Sequence, residues 1–200
     1  MPYQARFIAL ALWVLPAAVG AVDKLSLGVN VMLGGRYDDL RMCVASPAGI
    51  KGGPIADVML EGRAYVSDRL AVGMRIPVMR PILFGAAFHM LQFEPEILCE
   101  YRIGDADDVH FIVGPSLGAS FHYGPDYTAG REDTDRDDFF AAGPLVSAQF
   151  GVGFPHSAGL KRIAGMRAFY APLFAKEHAP GTVVGAALEG HFEFFQNDRR

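Results

Sequence analysis

A chain of 200 residues that is 51% hydrophobic and 20% charged, with a formal net charge of -4, can bury one full core and is not an intrinsically disordered polymer. A pI near 5.8 removes the global basic charge that nucleic-acid phosphates attract, so no nucleic-acid partner is expected. Two cysteines, Cys43 and Cys99, make neither a disulfide scaffold nor a paired zinc motif, and no phosphate loop, CxxC or HExxH signature points to a cofactor.

In chain order, Arg6 precedes the apolar run Phe7 to Leu15, which is followed by Pro16 and the small-residue stretch Ala17 to Ala21. A charged start, a short apolar run and the Val19-x-Ala21 site read as a secretory signal peptide over residues 1–21. The run is well short of the ~20 apolar residues that a membrane-spanning helix needs. Residues 22–200 are then one exported domain.

From Lys24 the sequence KLSLGVNVML alternates with a period of two: Leu25, Leu27, Val29, Val31 and Leu33 share one face, Ser26, Gly28 and Asn30 the other. The same alternation returns in residues 56–66, 70–79, 91–103, 109–123, 139–153, 162–172 and 182–195. These are eight predicted strands, the even number that a closed antiparallel barrel takes. The fourth is the most informative. Its face Leu91, Phe93, Ile97, Cys99, Tyr101 and Ile103 has no ionisable group but the cysteine, while Glu94, Glu96, Glu100 and Arg102 lie opposite.

Connection lengths alternate too. Residues 34–55, 124–138 and the shorter 173–181 follow odd strands, and the short 67–69, 104–108 and 155–161 follow even ones. Long loops therefore gather at one end, as in an up-and-down transmembrane barrel. The expected fold is all-β: an eight-stranded antiparallel up-and-down transmembrane β-barrel.

Periodicity alone does not say which face looks inward. A soluble barrel turns its apolar face to the core, and a membrane barrel turns it to lipid. Aromatic placement favours the second sense: Tyr101, Phe111, Phe150, Phe154, Phe192 and Phe194 fall at one end of the strands, and Phe93, Phe121, Tyr123, Phe140 and Tyr170 at the other, like the girdles at the two membrane surfaces. The opposite face then becomes a lumen carrying Glu61, Arg63, Arg75, Glu94, Glu96, Glu100, Arg102, Arg167, Glu189 and Glu193, with His110, His122 and His191. An eight-stranded interior is just wide enough for side chains to fill, so these charges are expected to pair as a plug.

With its signal sequence, eight strands and strings such as YVSDRLAVGMRI (65–76) and FIVGPSLGASFHYG (111–124), the chain resembles small outer-membrane β-barrels of the OmpA transmembrane-domain and OmpX type. The resemblance covers nearly all of residues 24–195. It implies a Gram-negative-type envelope, outer-membrane lipid as surroundings, and insertion by the barrel assembly machinery through an aromatic last strand, here EGHFEFF (189–195). The tail from Gln196 to Arg200 departs from the family, which usually stops at the aromatic residue. Pro77, Pro95, Pro115 and Pro144 lie inside predicted strands, where each removes a ladder donor.

The loops carry the remaining chemistry. Residues 124–138 hold six acids and two arginines, a solvated outer loop; Asp133-x-Asp135-x-Asp137 starts like a calcium loop but lacks the glycine and closing glutamate, so no metal site is assigned. Residues 80–90 are unusually apolar, with Ile82, Leu83, Phe84 and Phe88. His156-Ser157 is the only adjacent nucleophile and base pair, and no acid accompanies it, so catalysis is not expected. The leading functional expectation is a structural or interaction role, as an adhesin or surface antigen, with loops 34–55 and 124–138 offered to an extracellular partner. The alternatives are a narrow transport route for small or hydrophobic molecules through the 80–90 region, and an exported soluble barrel around an apolar ligand.

Overall fold

The structure, a computed structural model, describes residues 24–38, 51–82, 91–125, 138–157, 160–175 and 180–198. The signal segment 1–21, Cys43, the centres of loops 34–55 and 124–138, and residues 83–90 lie outside the described residues, as do the side chains of His156, Ser157, Phe194 and the tail.

Nine strand pieces make one closed sheet: β1 (Lys24–Asp38), β2 (Gly52–Tyr65), β3 (Leu70–Pro77), β4 (Leu91–Phe93), β5 (Glu96–Ile103), β6 (His110–Pro125), β7 (Asp138–Ser157), β8 (Leu160–Ala175) and β9 (Gly181–Asp198). All pairings are antiparallel: β3 pairs with β5, β4 and β5 both pair with β6, β1 pairs with β9, and the rest join neighbours in sequence. Since β4 and β5 are two pieces of one stave, the wall is an eight-stranded up-and-down barrel. Closure leaves no free sheet edge around its inner half.

The apolar stripe looks outward. Leu27 is 54% exposed, Ile97 61% and Leu117 65%, whereas Arg75 is 1% and Glu100 3% exposed. A soluble barrel would show the reverse, so the expectation of an exported barrel with an apolar interior is corrected by the sense of the faces. Outward aromatics lie in two bands: Tyr101, Phe111, Phe150 and Phe192 near the short-turn end, and Tyr123, Phe140, Tyr170 and Phe174 near the long-connection end. The long-connection end corresponds to the outer end of a barrel of this kind.

The strands exceed their predicted bounds where alternation runs on into the loops. The first connection therefore begins after Asp38 instead of at residue 34, and β7 continues to Ser157. Each of the four prolines singled out in the sequence marks a defect on one side of its strand. β3 ends at Pro77, Pro95 splits the predicted fourth strand in two, and the β5–β6 register skips the residues opposite Gly114 and Pro115. The β7–β8 register skips from Ala142 to Val146 around Pro144. A proline has no N–H to give its neighbour, and the ladder yields at each one. At the inner end, Gly104 turns the chain from β5 to β6 with φ of 113°, a conformation that side chains with a Cβ disfavour.

Candidate functional site

The interior divides into two zones along the barrel axis. The inner zone is charged. Arg75 on β3 is its hub: Nε lies 3.3 Å from Glu61 Oε2, Nη1 donates to Glu189 Oε1 at 3.1 Å, and Nη2 to Gln149 Oε1 at 2.9 Å. One planar guanidinium thus ties together β2, β3, β7 and β9, a use of its fixed fork of donors that a lysine ammonium could not reproduce. Arg63 Nε donates to Glu61 Oε1 at 2.7 Å, and its Nη2 is 2.9 Å from Glu100 Oε2. Arg167 pairs with Glu96, which also accepts from Ser147 Oγ. His191 Nδ1 stands 3.3 Å from Glu61 Oε2.

At the inner rim Tyr65 Oη donates to Glu193 Oε1 at 2.7 Å, and Lys161 Nζ donates to Tyr65 Oη at 3.0 Å. Arg102 is placed differently from the other charged residues singled out in the sequence. It is half-buried at the rim, donating to the Asp68 carbonyl at 2.9 Å and lying over the Tyr65 ring. The spacing of β5 explains this, because Arg102 is the last inward position before the turn. Between Asn30, Arg63, Arg75, Glu100, Gln149 and His191 remains a space of about 20 Å³, room for a water molecule and not for a passing solute.

The outer zone is amphipathic. One wall is an apolar cluster that includes Met32, Ile55, Met59, Leu145, Phe169 and Leu173, carried by β1, β2, β7 and β8. The facing wall is polar. Arg36 donates to Asp38 Oδ2 at 2.8 Å and to Gln92 Oε1 at 3.1 Å, while Ser120 Oγ donates to Glu94 Oε1 at 2.9 Å and lies 3.0 Å from His122 Nε2. Beside the charged network expected from the sequence, the outer half thus holds an apolar wall, with Arg36, Asp38, Asp57, Arg80 and Glu94 as its own paired charges.

Ser120 and His122 have the residue types of a hydrolytic pair. Their surroundings do not activate the serine. Its proton is held by Glu94, a carboxylate already paired with Arg80, and Asp38 stands 4.0 Å from His122 Nδ1, too far for the hydrogen bond that orients a catalytic histidine. Ser120 and His122 are fully buried. The arrangement packs and pairs; it presents no nucleophile.

Among the described residues, the β2–β3 ladder ends at Met59↔Pro77 while β2 runs on outward to Gly52, and β4 pairs with β6 alone. Residues 79–82 form one helical turn after β3. Val78 N–H reaches the Val58 carbonyl at 2.9 Å, and the Arg80 N–H reaches Asp57 Oδ1 at 2.9 Å. The Arg80 guanidinium lies between two acids, with Nε 3.3 Å from Asp57 Oδ2 on β2 and Nη2 bonded to Glu94 at the start of the β4–β5 break.

Arg36, Asp38 and Arg80 were not read as site residues because the sequence pattern placed them in loops. The signal was there: the parity that sets Asn30 and Met32 inward continues to Arg36 and Asp38.

No family profile matches the chain, and no curated protein sequence does. Solved structures do. Neisserial surface protein A (NspA) aligns with a TM-score of 0.54 at 12% identity, over 84% of this chain and 96% of that one. The outer membrane protein OprG from Pseudomonas aeruginosa aligns with a TM-score of 0.56 at 8% identity, over 90% of this chain and 98% of that one. This chain has the fold of a small outer-membrane barrel. The likeness extends along nearly the full length of both solved proteins, and it agrees with the outward apolar stripe: the wall of this barrel is built to meet lipid.

Proposed function

We propose that the protein is an outer-membrane barrel whose lumen is a closed plug and whose function is structural or interactive, as an adhesin or surface antigen that offers its outer connections to an extracellular partner. The observation that carries this reading is the inner charge network, in which Arg63, Arg75 and Arg167 are paired with Glu61, Glu96, Glu100 and Glu189 across the whole bore. Desolvated charges held by several partners make a permeation path costly to open. The reading includes no catalytic step. Planar-bilayer recording tests it: the reconstituted protein is expected to give no steady conductance, and large stable channels would overturn the plug. Insertion by the barrel assembly machinery belongs to the same proposal, and arrest of the precursor outside the membrane on depletion of that machinery is the matching observation.

A second reading, a narrow route for small or hydrophobic molecules, is favoured by the apolar wall of the outer lumen. Such a route would enter the outer half of the barrel and leave the inner plug intact. Uptake of small apolar solutes by cells with and without the protein tests it; equal uptake would remove it.

A further inference from the structure

Lys161 and Arg162 are adjacent at the inner end of β8, and alternation sends them to opposite sides of the wall. Lys161 turns inward, where Nζ donates to Tyr65 Oη at 3.0 Å and lies 3.5 Å from Glu193 Oε2. Arg162 turns outward and is exposed. Every other described outward position of the strands, from Leu25 on β1 to Phe192 on β9, holds an uncharged side chain. The lipid-facing surface of the described strands therefore carries one cation and no anion. No ion pair or side-chain hydrogen bond with the described residues engages the Arg162 guanidinium.

The register sets the height of this cation in the bilayer. Arg162 pairs with Phe154 on β7 and with Phe192 on β9. Phe154 lies one residue beyond Gly153, the partner of His110 at the start of β6, so the row is at the short-turn end of the wall. Phe154 and Phe192 are 43% and 41% exposed, and outward aromatic rings at the end of a barrel strand mark the headgroup level. An arginine is tolerated at that level and costly at the bilayer centre. There its planar guanidinium offers a phosphodiester two parallel N–H donors. The next row towards the bilayer centre pairs Ala164 with Gly190. The Phe192 ring leans over Gly190, where a Cβ would lie 3.5 Å from Cε2, while Ala164 stays exposed. One row further, Met166 and Leu188 stand out again. Ala164 is thus the floor of a shallow hollow between Arg162 and Met166.

We propose that Arg162 and the hollow over Ala164 form a binding site for one anionic glycerophospholipid in the leaflet at the short-turn end, with the phosphodiester on the guanidinium and the start of an acyl chain over Ala164. Charge complementarity selects the occupant. A cation with no carboxylate partner gains most from a headgroup of net negative charge, and a zwitterionic headgroup brings its own ammonium beside the phosphate. The site lies on the outside of the wall and is independent of both readings of the lumen.

The test uses the full-length protein in nanodiscs in which phosphatidylethanolamine outnumbers phosphatidylglycerol. Native mass spectrometry reads the lipid that stays bound as the disc is stripped away. The unaltered protein is expected to retain a single phosphatidylglycerol in preference to phosphatidylethanolamine. Arg162→Ala should lower that retention about fivefold, and Arg162→Lys, which keeps the charge and loses the fork, by less. Ala164→Leu fills the hollow and leaves the cation, and it should lower retention as well. The double variant Arg162→Ala with Ile103→Arg moves the charge to another exposed outward position, beside Phe111 at the inner end of β5; it should not restore retention. Heat-modifiable migration shows that each variant is folded; if Ala164→Leu is not, the Ile103→Arg exchange carries the comparison.

Equal retention of the two lipids by the unaltered protein would overturn the choice of an anionic headgroup. Retention unchanged in Arg162→Ala would overturn the site itself. Full restoration by Ile103→Arg would show that any arginine at this level suffices, and the hollow over Ala164 would then have no part in binding.

Discussion

Arg75 on β3 and Gln149 on β7 bond across the bore at 2.9 Å, joining residues 74 positions apart in sequence. With Glu61 and Glu189 on the same guanidinium, this one side chain braces the inner barrel. Removing it takes from Glu189 its nearest cation and from Glu61 one of two arginines, and breaking a buried pair costs about 3–5 kcal/mol. Arg75→Ala is expected to lower the free energy of unfolding from vesicles, read from urea titration, by that amount, and Arg75→Lys to recover only part of it. A loss below about 1 kcal/mol would show that the brace is dispensable.

The lipid-facing stripe makes a prediction of opposite character. Leu117 lies at mid-height, paired with Ile97 and Val146. An arginine at the bilayer midplane on this face costs about 2–4 kcal/mol, falling towards zero near the interfaces. Leu117→Arg should therefore be strongly destabilising in vesicle unfolding, and Val109→Arg, exposed just beyond the strand at the inner end, close to neutral. Equal costs at the two positions would contradict the placement of the bilayer.

Cys99 offers a simpler check of the same geometry. It is a free thiol exposed on the outer face of β5. In folded Cys43→Ser protein in vesicles it should react with a bilayer-partitioning maleimide and resist a charged one, and boiling in detergent should make it react with both. Ready labelling of native protein by the charged reagent would place that face in water.

Barrel closure depends on small residues where β1 meets β9, Gly28 and Gly34 among them. Gly28 sits at the register shift between β1 and β9, and a Cβ there would approach the Phe192 carbonyl oxygen at 2.6 Å and the His191 ring at 2.7 Å. Overpacking of this kind costs about 1–3 kcal/mol. Gly28→Val is expected to reduce the heat-modifiable folded band on refolding, whereas Gly62→Val, whose Cβ would meet only Leu27 Cδ2 at 3.6 Å, should refold with near-native yield.

Much of the architecture was readable from alternation, because a strand with hydrocarbon on one side and a filled lumen on the other has two chemically opposite faces. Leu27, Ile97 and Leu117 against Asn30, Glu96 and Ser116 is such a contrast. The break at Pro95 was foreshadowed by the missing N–H, although the alternation of residues 91–103 carried straight across it. What the pattern hid was the outer lumen. Met32, Ile55 and Met59 share the inward parity of charged residues, so a reading that sorts faces by polarity passes over them. Arg80 was illegible for a different reason: it lies on a single helical turn after a strand ends, and no period links it to Asp57 or Glu94. Only the closure of the sheet brings those three together.

The bond between Tyr65 and Glu193 joins residues 128 positions apart, and the Arg75 to Glu189 contact 114. β9, the last strand made, thus supplies acids to both the rim and the hub, and it also seals the cylinder against β1. A barrel lacking β9 would lack the acids that close the rim and brace the hub as well as the partner that closes its wall, so one strand completes enclosure and interior together.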